Sequence, residues 1–282
     1  MRRATSIVFA ISLLATSAAA QVIPGEEETG GASAQEVAAF YALTLSPVGA
    51  FVDVPHIRPG GQTQVGMRFL FGQLDEEGDI TRRAFGIGVD IPMGTATLGL
   101  IGGLQHFACP GEEDYGFFTL DFDCRQAYMG GASLDLPLVR STMGDQGAGL
   151  NLGLQMTAGY GLGNEVVKAK MDDGTDRESI TISMNGTSAT IGLPVSLVAK
   201  SGNFSIVPHI TPRFGWGSAK MKLEASDDPT LNGEDTESST RFMLGGGVGV
   251  YFQNGVGLTL GFQKVFIEDG SATVGLGVTW AR

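Results

Sequence analysis

The 282-residue chain carries 18 Lys and Arg against 30 Asp and Glu, a net charge of −12. That balance excludes a nucleic-acid binder driven by phosphate attraction and disfavours docking on an anionic surface. Glycine occurs 43 times, spread through strand-like segments rather than in one tract, so low complexity does not explain it.

Residues 1–20 read as a secretory signal. Arg2 and Arg3 form the basic start, Ile7 to Leu14 is the apolar run, and Ala18-Ala19-Ala20 precedes Gln21 as a small-residue cleavage site. The run is too short to span a bilayer. Residues 21–61 are an N-terminal segment with competing signals. Ser33 and Glu36 have capping-box spacing ahead of a short helix over 34–43. Yet Tyr41, Leu43 and Leu45 also alternate as in a strand. A periplasmic tether, a lumen plug and an extra strand all stay open here.

From residue 62 to 282 the pattern is period-2 alternation, with ten predicted strands at about 63–74, 80–92, 95–107, 125–138, 148–162, 187–199, 203–218, 240–253, 256–267 and 271–281. Tight turns fall at 92–95, 200–203 and 253–255. The segments 108–124, 163–186 and 219–239 read as longer polar loops, and 139–147 is intermediate. Short turns at one end and longer loops at the other predict an all-β, antiparallel up-and-down transmembrane barrel, with twelve strands as the alternative count. An even count puts both ends of the barrel on the short-turn side.

The last strand carries the clearest signal. Ala272, Val274, Leu276, Val278 and Trp280 alternate with Thr273, Gly275, Gly277 and Thr279. Successive side chains of a strand face opposite ways, so one face is wholly apolar and the other is small. A crowded lumen suits the small face, and lipid suits the apolar one. The same parity puts Phe71, Phe85, Tyr128, Tyr160, Trp216, Phe242 and Phe266 near the loop ends, and Phe204, Phe252 and Trp280 near the turn ends. Two aromatic girdles around an aliphatic band follow.

The opposite face holds Arg68, Asp90, Asp135, Asn151, Gln155, His209, Arg213, Arg241 and Gln263. On the lipid side each charge would be costly. Arg68, Asp90, Asp135, His209, Arg213 and Arg241 are therefore expected to form a lumen charge network that fills a narrow bore. The rival reading is a polar path or binding site.

The only two cysteines, Cys109 and Cys124, lie in one polar segment, and export predicts a disulfide between them. Three histidines occur. His106 has outward parity at a loop end, and His209 faces the lumen near mid-strand with no Ser or Asp beside it in sequence. Asp172 to Glu178 is oxygen-rich but lacks the ligand spacing of a calcium loop. No G-x-S-x-G, P-loop or zinc motif is present, so no catalytic, cofactor or metal residue is assigned.

The signal, the girdled strands and the strand Thr273 to Trp280 resemble the small outer-membrane β-barrel proteins of Gram-negative-type bacteria, the porin-like and outer-membrane-protein-A-like group. Leu45 to Phe51 and Gly257 to Phe262 share its character, and the likeness runs over roughly 37–282. Members usually end on an aromatic residue, whereas Ala281-Arg282 follow Trp280 here. The resemblance implies residence in the outer membrane, with its lipid and the barrel-assembly machinery as partners, and no cofactor. The group includes pores, adhesins, structural barrels and a few enzymes. The expected role is non-enzymatic: envelope structure, small-solute passage or surface contact around a narrow or plugged lumen. The alternative is a barrel hydrolase, protease or lipid-acting, that uses His209 or His106.

Overall fold

The computed structural model describes residues 62–73, 81–108, 112–114, 119–124, 126–143, 148–172, 177–225, 232–266 and 272–281. The leader, the 21–61 segment and Cys109 lie outside them. The first half contains β1 (Gln64–Gln73), β2 (Thr81–Met93), β3 (Ala96–Ala108), β4 (Glu112–Asp114), β5 (Thr119–Cys124) and β6 (Gln126–Met143). Then come β7 (Ala148–Asp172), β8 (Arg177–Gly192), β9 (Val195–Ser201), β10 (Phe204–Ala225), β11 (Gly233–Phe252), β12 (Val256–Val265) and β13 (Ala272–Ala281).

Every neighbouring pair is antiparallel, and β1 pairs with β13, so the sheet closes into a barrel. β8 and β9 together form one stave between β7 and β10, interrupted at Leu193-Pro194. The barrel therefore has ten staves. β4 and β5 form an additional hairpin, with β5 laid against the far end of β7.

The register sets the barrel's shape. It runs from Val207 through Gly249, Thr259, Gly277, Arg68, Gly86, Gly103, Met129, Gly161 and Gly186. It then returns to β10 at Ala219, twelve residues beyond its start. That stagger over ten strands tilts them by about 40°. Six of the stops are glycine, because inward side chains on a closed sheet converge on one axis.

Tight turns join β2 to β3 and β9 to β10. Gly94 (φ 64°) and Gly202 (φ 54°) take the left-handed conformation there, which side chains resist. Gln64 opposes Ala281 at this same end. On the other side, residues 163–186 and 219–239 are mostly strand rather than the loops their polarity suggests. β7 pairs with β8 as far as Asp172 and Arg177, and β10 pairs with β11 as far as Leu223 and Gly233. Above a bilayer both faces of a hairpin meet water, so polar residues such as Lys220 and Glu234 are tolerated without breaking the ladder. The signal that survives is the weak alternation of Ile180, Ile182 and Met184.

Prolines concentrate at the broken stave. Pro194 has no N–H to donate, but its carbonyl accepts from Gly153 at 2.9 Å. Pro212 accepts from Leu193 at 3.1 Å. Pro208 falls where the β9 ladder skips from Ile206 to His209. Elsewhere, Pro137 of β6 falls at a register shift against β7, between Pro137 and Val139.

The outward faces are apolar. Ile87, Leu100, Ile191, Ile210, Leu258, Leu260 and Leu276 are among the exposed large hydrophobic residues, Leu276 at 51% of its surface. A continuous apolar belt around a molecule is untenable in water. It is the surface a closed barrel presents to lipid, where all backbone donors and acceptors must be met by neighbouring strands.

Candidate functional site

The lumen is the candidate site, since strand parity brings the chain's intramembrane charges there. Arg68 Nη2 lies 3.7 Å from Asp90 Oδ2. Gly99 opposes Asp90 on β3, and a Cβ there would stand 2.8 Å from Asp90 Oδ1, so the absent side chain makes room for the carboxylate. On β6 and β7, Asp135 and Gln155 face each other in register, and Gln155 Nε2 donates to Asp135 Oδ1 at 2.8 Å. Arg213 Nη2 donates to Gln155 Oε1, and its Nη1 donates to Gln263 Oε1 at 3.3 Å. The Gln155 carboxamide thus relays Arg213 to Asp135. Asp135, Gln155, Arg213 and Gln263 are each at most 4% exposed.

His209 is buried on the same face, between Gly247 and Ser196 in register. Asn151 is half-buried and opposes Ser196 and Arg140 near the turn end. Arg241 sits nearer the loops, half-buried, and its Nη1 donates to the Thr240 carbonyl at 3.0 Å. Thr157 and Thr190 share a hydrogen bond of 2.6 Å.

Apolar clusters flank this belt on the lumen face, one toward the loops and one toward the turns. Leu70, the next lumen residue after Arg68 toward the loops, is buried with Ala84 and Met129, and Ile101 packs against them. On the turn side Val207, which precedes His209, is buried with Tyr251 against Val198.

Two lumen residues were missed in the sequence. Arg82 is fully buried and its Nε donates to Gln105 Oε1 at 2.9 Å, while neither Nη atom finds a partner among the described residues. The available signal was parity, because Arg82 shares it with Asp90.

On the outer face, Phe71, Tyr128, Tyr160, Trp216, Phe242 and Phe266 are exposed near the loop ends, and Phe85 is half-buried. Rings meet across strands, with Phe242–Phe266 centroids 5.3 Å apart and Phe214–Phe242 5.6 Å apart. Near the turns Phe204 and Phe252 lie 6.5 Å apart, and Phe252 and Trp280 are exposed. His106 is exposed outward, in register with Arg83 and Gln126. Among the described residues, no group of three His, Cys, Asp or Glu could hold a metal. Cys124 ends β5, and the disulfide predicted with Cys109 falls outside the described residues.

No family model matches the chain, and no curated protein does. Solved structures of similar shape include the transport unit of the autotransporter AIDA-I from Escherichia coli, 13% identical, covering 86% of this chain and 96% of that one at a TM-score of 0.40. The translocator domain of the autotransporter NalP from Neisseria meningitidis is 12% identical over 78% and 88%, at 0.39. A major outer membrane protein from Thermus thermophilus is 10% identical over 79% and 100%, at 0.33. The likeness reaches no further than the barrel.

Proposed function

We propose that this chain is a non-enzymatic outer-membrane barrel with a closed lumen, exported by a cleaved leader and inserted by the barrel-assembly machinery. It serves envelope structure and surface contact rather than solute passage. The observation that carries this reading is the stacked interior: the Arg68–Asp90 and Arg213–Gln155–Asp135 belt lies between the Leu70–Met129 layer and the Val207–Tyr251 layer. The surface role rests on the β7–β8 and β10–β11 hairpins, which run on past the aromatic girdle and carry ion pairs such as Lys220–Glu234 at 2.7 Å. The hydrolase alternative has less support, since His209 is enclosed by the belt and His106 faces outward. Purified protein in planar bilayers tests the reading. Little or intermittent conductance is expected, and a large, steady conductance proportional to salt would overturn it.

A further inference from the structure

One patch of the outer face breaks the apolar rule. Just on the loop side of the girdle, Phe71, Arg83, His106 and Gln126 oppose one another in a single register row across β1, β2, β3 and β6. The row next to it, toward the middle of the barrel, is Phe69, Phe85, Leu104 and Tyr128. All residues of the two rows except Tyr128 line a groove of about 290 Å³. Phe69 and Phe85 stack at 5.1 Å between ring centroids and form part of its apolar floor. Arg83, His106 and Gln126 are exposed along its upper rim.

An outward arginine is costly in hydrocarbon and becomes tolerable only at the interface. Three lysines toward the loop side have partners. Lys220 pairs with Glu234 and Lys222 with Glu224, and Lys264 lies over the Phe266 ring at 5.9 Å. Arg83 takes up no ion pair among the described residues. A fork of guanidinium donors, open to the headgroup region above an aromatic groove, matches a phosphate attached to an acyl chain.

We propose that this groove binds a lipid of the loop-side leaflet whose headgroup carries phosphate. The acyl chain lies along Phe69, Phe85 and Leu104, and the phosphate accepts hydrogen bonds from Arg83, with His106 and Gln126 beside it. The proposal requires that the barrel sit in a bilayer, but not that its lumen be closed, so the conductance experiment and this one fail independently.

Native mass spectrometry of the full chain in detergent, with dimyristoyl phosphatidic acid and with dimyristoylglycerol, separates the contribution of the phosphate from that of the chains. Wild type should retain the phosphatidic acid about tenfold better, the equivalent of one charge-assisted contact. Arg83→Gln should reduce that ratio toward one, Arg83→Lys should restore part of it, and Lys264→Gln should leave it unchanged. Phe85→Ala should weaken both lipids. Heat-shifted gel mobility confirms that each variant is folded. Equal retention of the two lipids by wild type would overturn the proposal, as would an Arg83→Gln variant that behaves like wild type. Full displacement by an equal concentration of inorganic phosphate would overturn the lipid assignment, because the groove would then contribute nothing.

Discussion

Arg213→Ala removes the centre of the lumen network. Two buried acceptors, Gln155 Oε1 and Gln263 Oε1, lose their shared donor. An unsatisfied buried acceptor costs about 1–3 kcal/mol. The deleted side chain leaves space for a few waters, each needing about 30 Å³, and these recover part of the loss. The net expectation is a destabilisation of about 2–4 kcal/mol. Reversible urea unfolding in lipid vesicles, followed by fluorescence of Trp216 and Trp280, measures it. The relay makes a sharper claim about coupling. Because Arg213 reaches Asp135 through Gln155, Arg213→Ala and Asp135→Asn should be non-additive by about 1 kcal/mol in a double-mutant cycle. Strict additivity, or a single-variant change within error of zero, would refute the reasoning. Conductance should stay low in Arg213→Ala, because the Leu70 and Val207 layers remain in place.

Leu276, opposite Phe69 and Leu260 on the lipid face, should lose about 2–4 kcal/mol as Arg, whereas Ala272→Arg at the loop end of the same strand should cost about 0–1 kcal/mol; the same unfolding assay compares them. Leu70→Ala should destabilise by about 2–4 kcal/mol through the cavity it opens against Ala84 and Met129. The hydrogen bond and charge of Glu224 raise the Lys222 pKa. Any stability from this contact is therefore present below the unfolded-state pKa and lost as pH rises through the folded one. Solvent screens so exposed a pair, so Lys222→Gln should leave the unfolding midpoint at neutral pH unmoved. An unreduced digest should contain a linked Cys109–Cys124 peptide, and two freely alkylated thiols would remove the expected stabilisation of about 3 kcal/mol.

The staves were legible because a bilayer enforces parity. In Ala272–Ala281 every second residue must be acceptable to lipid, and the alternation is unmistakable. Once the same strands leave the membrane the constraint lapses, which is why the outer parts of β7, β8, β10 and β11 read as loops. The split of one stave at Pro194 was hidden for another reason. Period-2 pattern survives the break, and only the hydrogen-bond partners of Gly153 and Leu193 reveal it. In the lumen, parity named most of the charged residues but not their partners. Whether Arg213 meets a carboxylate or a carboxamide depends on the twelve-residue stagger, and no local pattern encodes that offset.

Closure by β1 and β13 has a kinetic consequence. Phe71 finds Val274, and Gln64 finds Ala281, across nearly the whole described chain. Few contacts reward the intervening polymer for staying in place until that pairing forms, and such long-range topologies fold slowly. Synthesis delivers β13 after every other described strand, so until then the edge of β1 has no partner. Chains that stall even one strand early hold two unpaired edges that the hydrocarbon cannot solvate. Membrane entry is thereby coupled to β13: the preceding strands must be kept unfolded until Ala272–Ala281 is available.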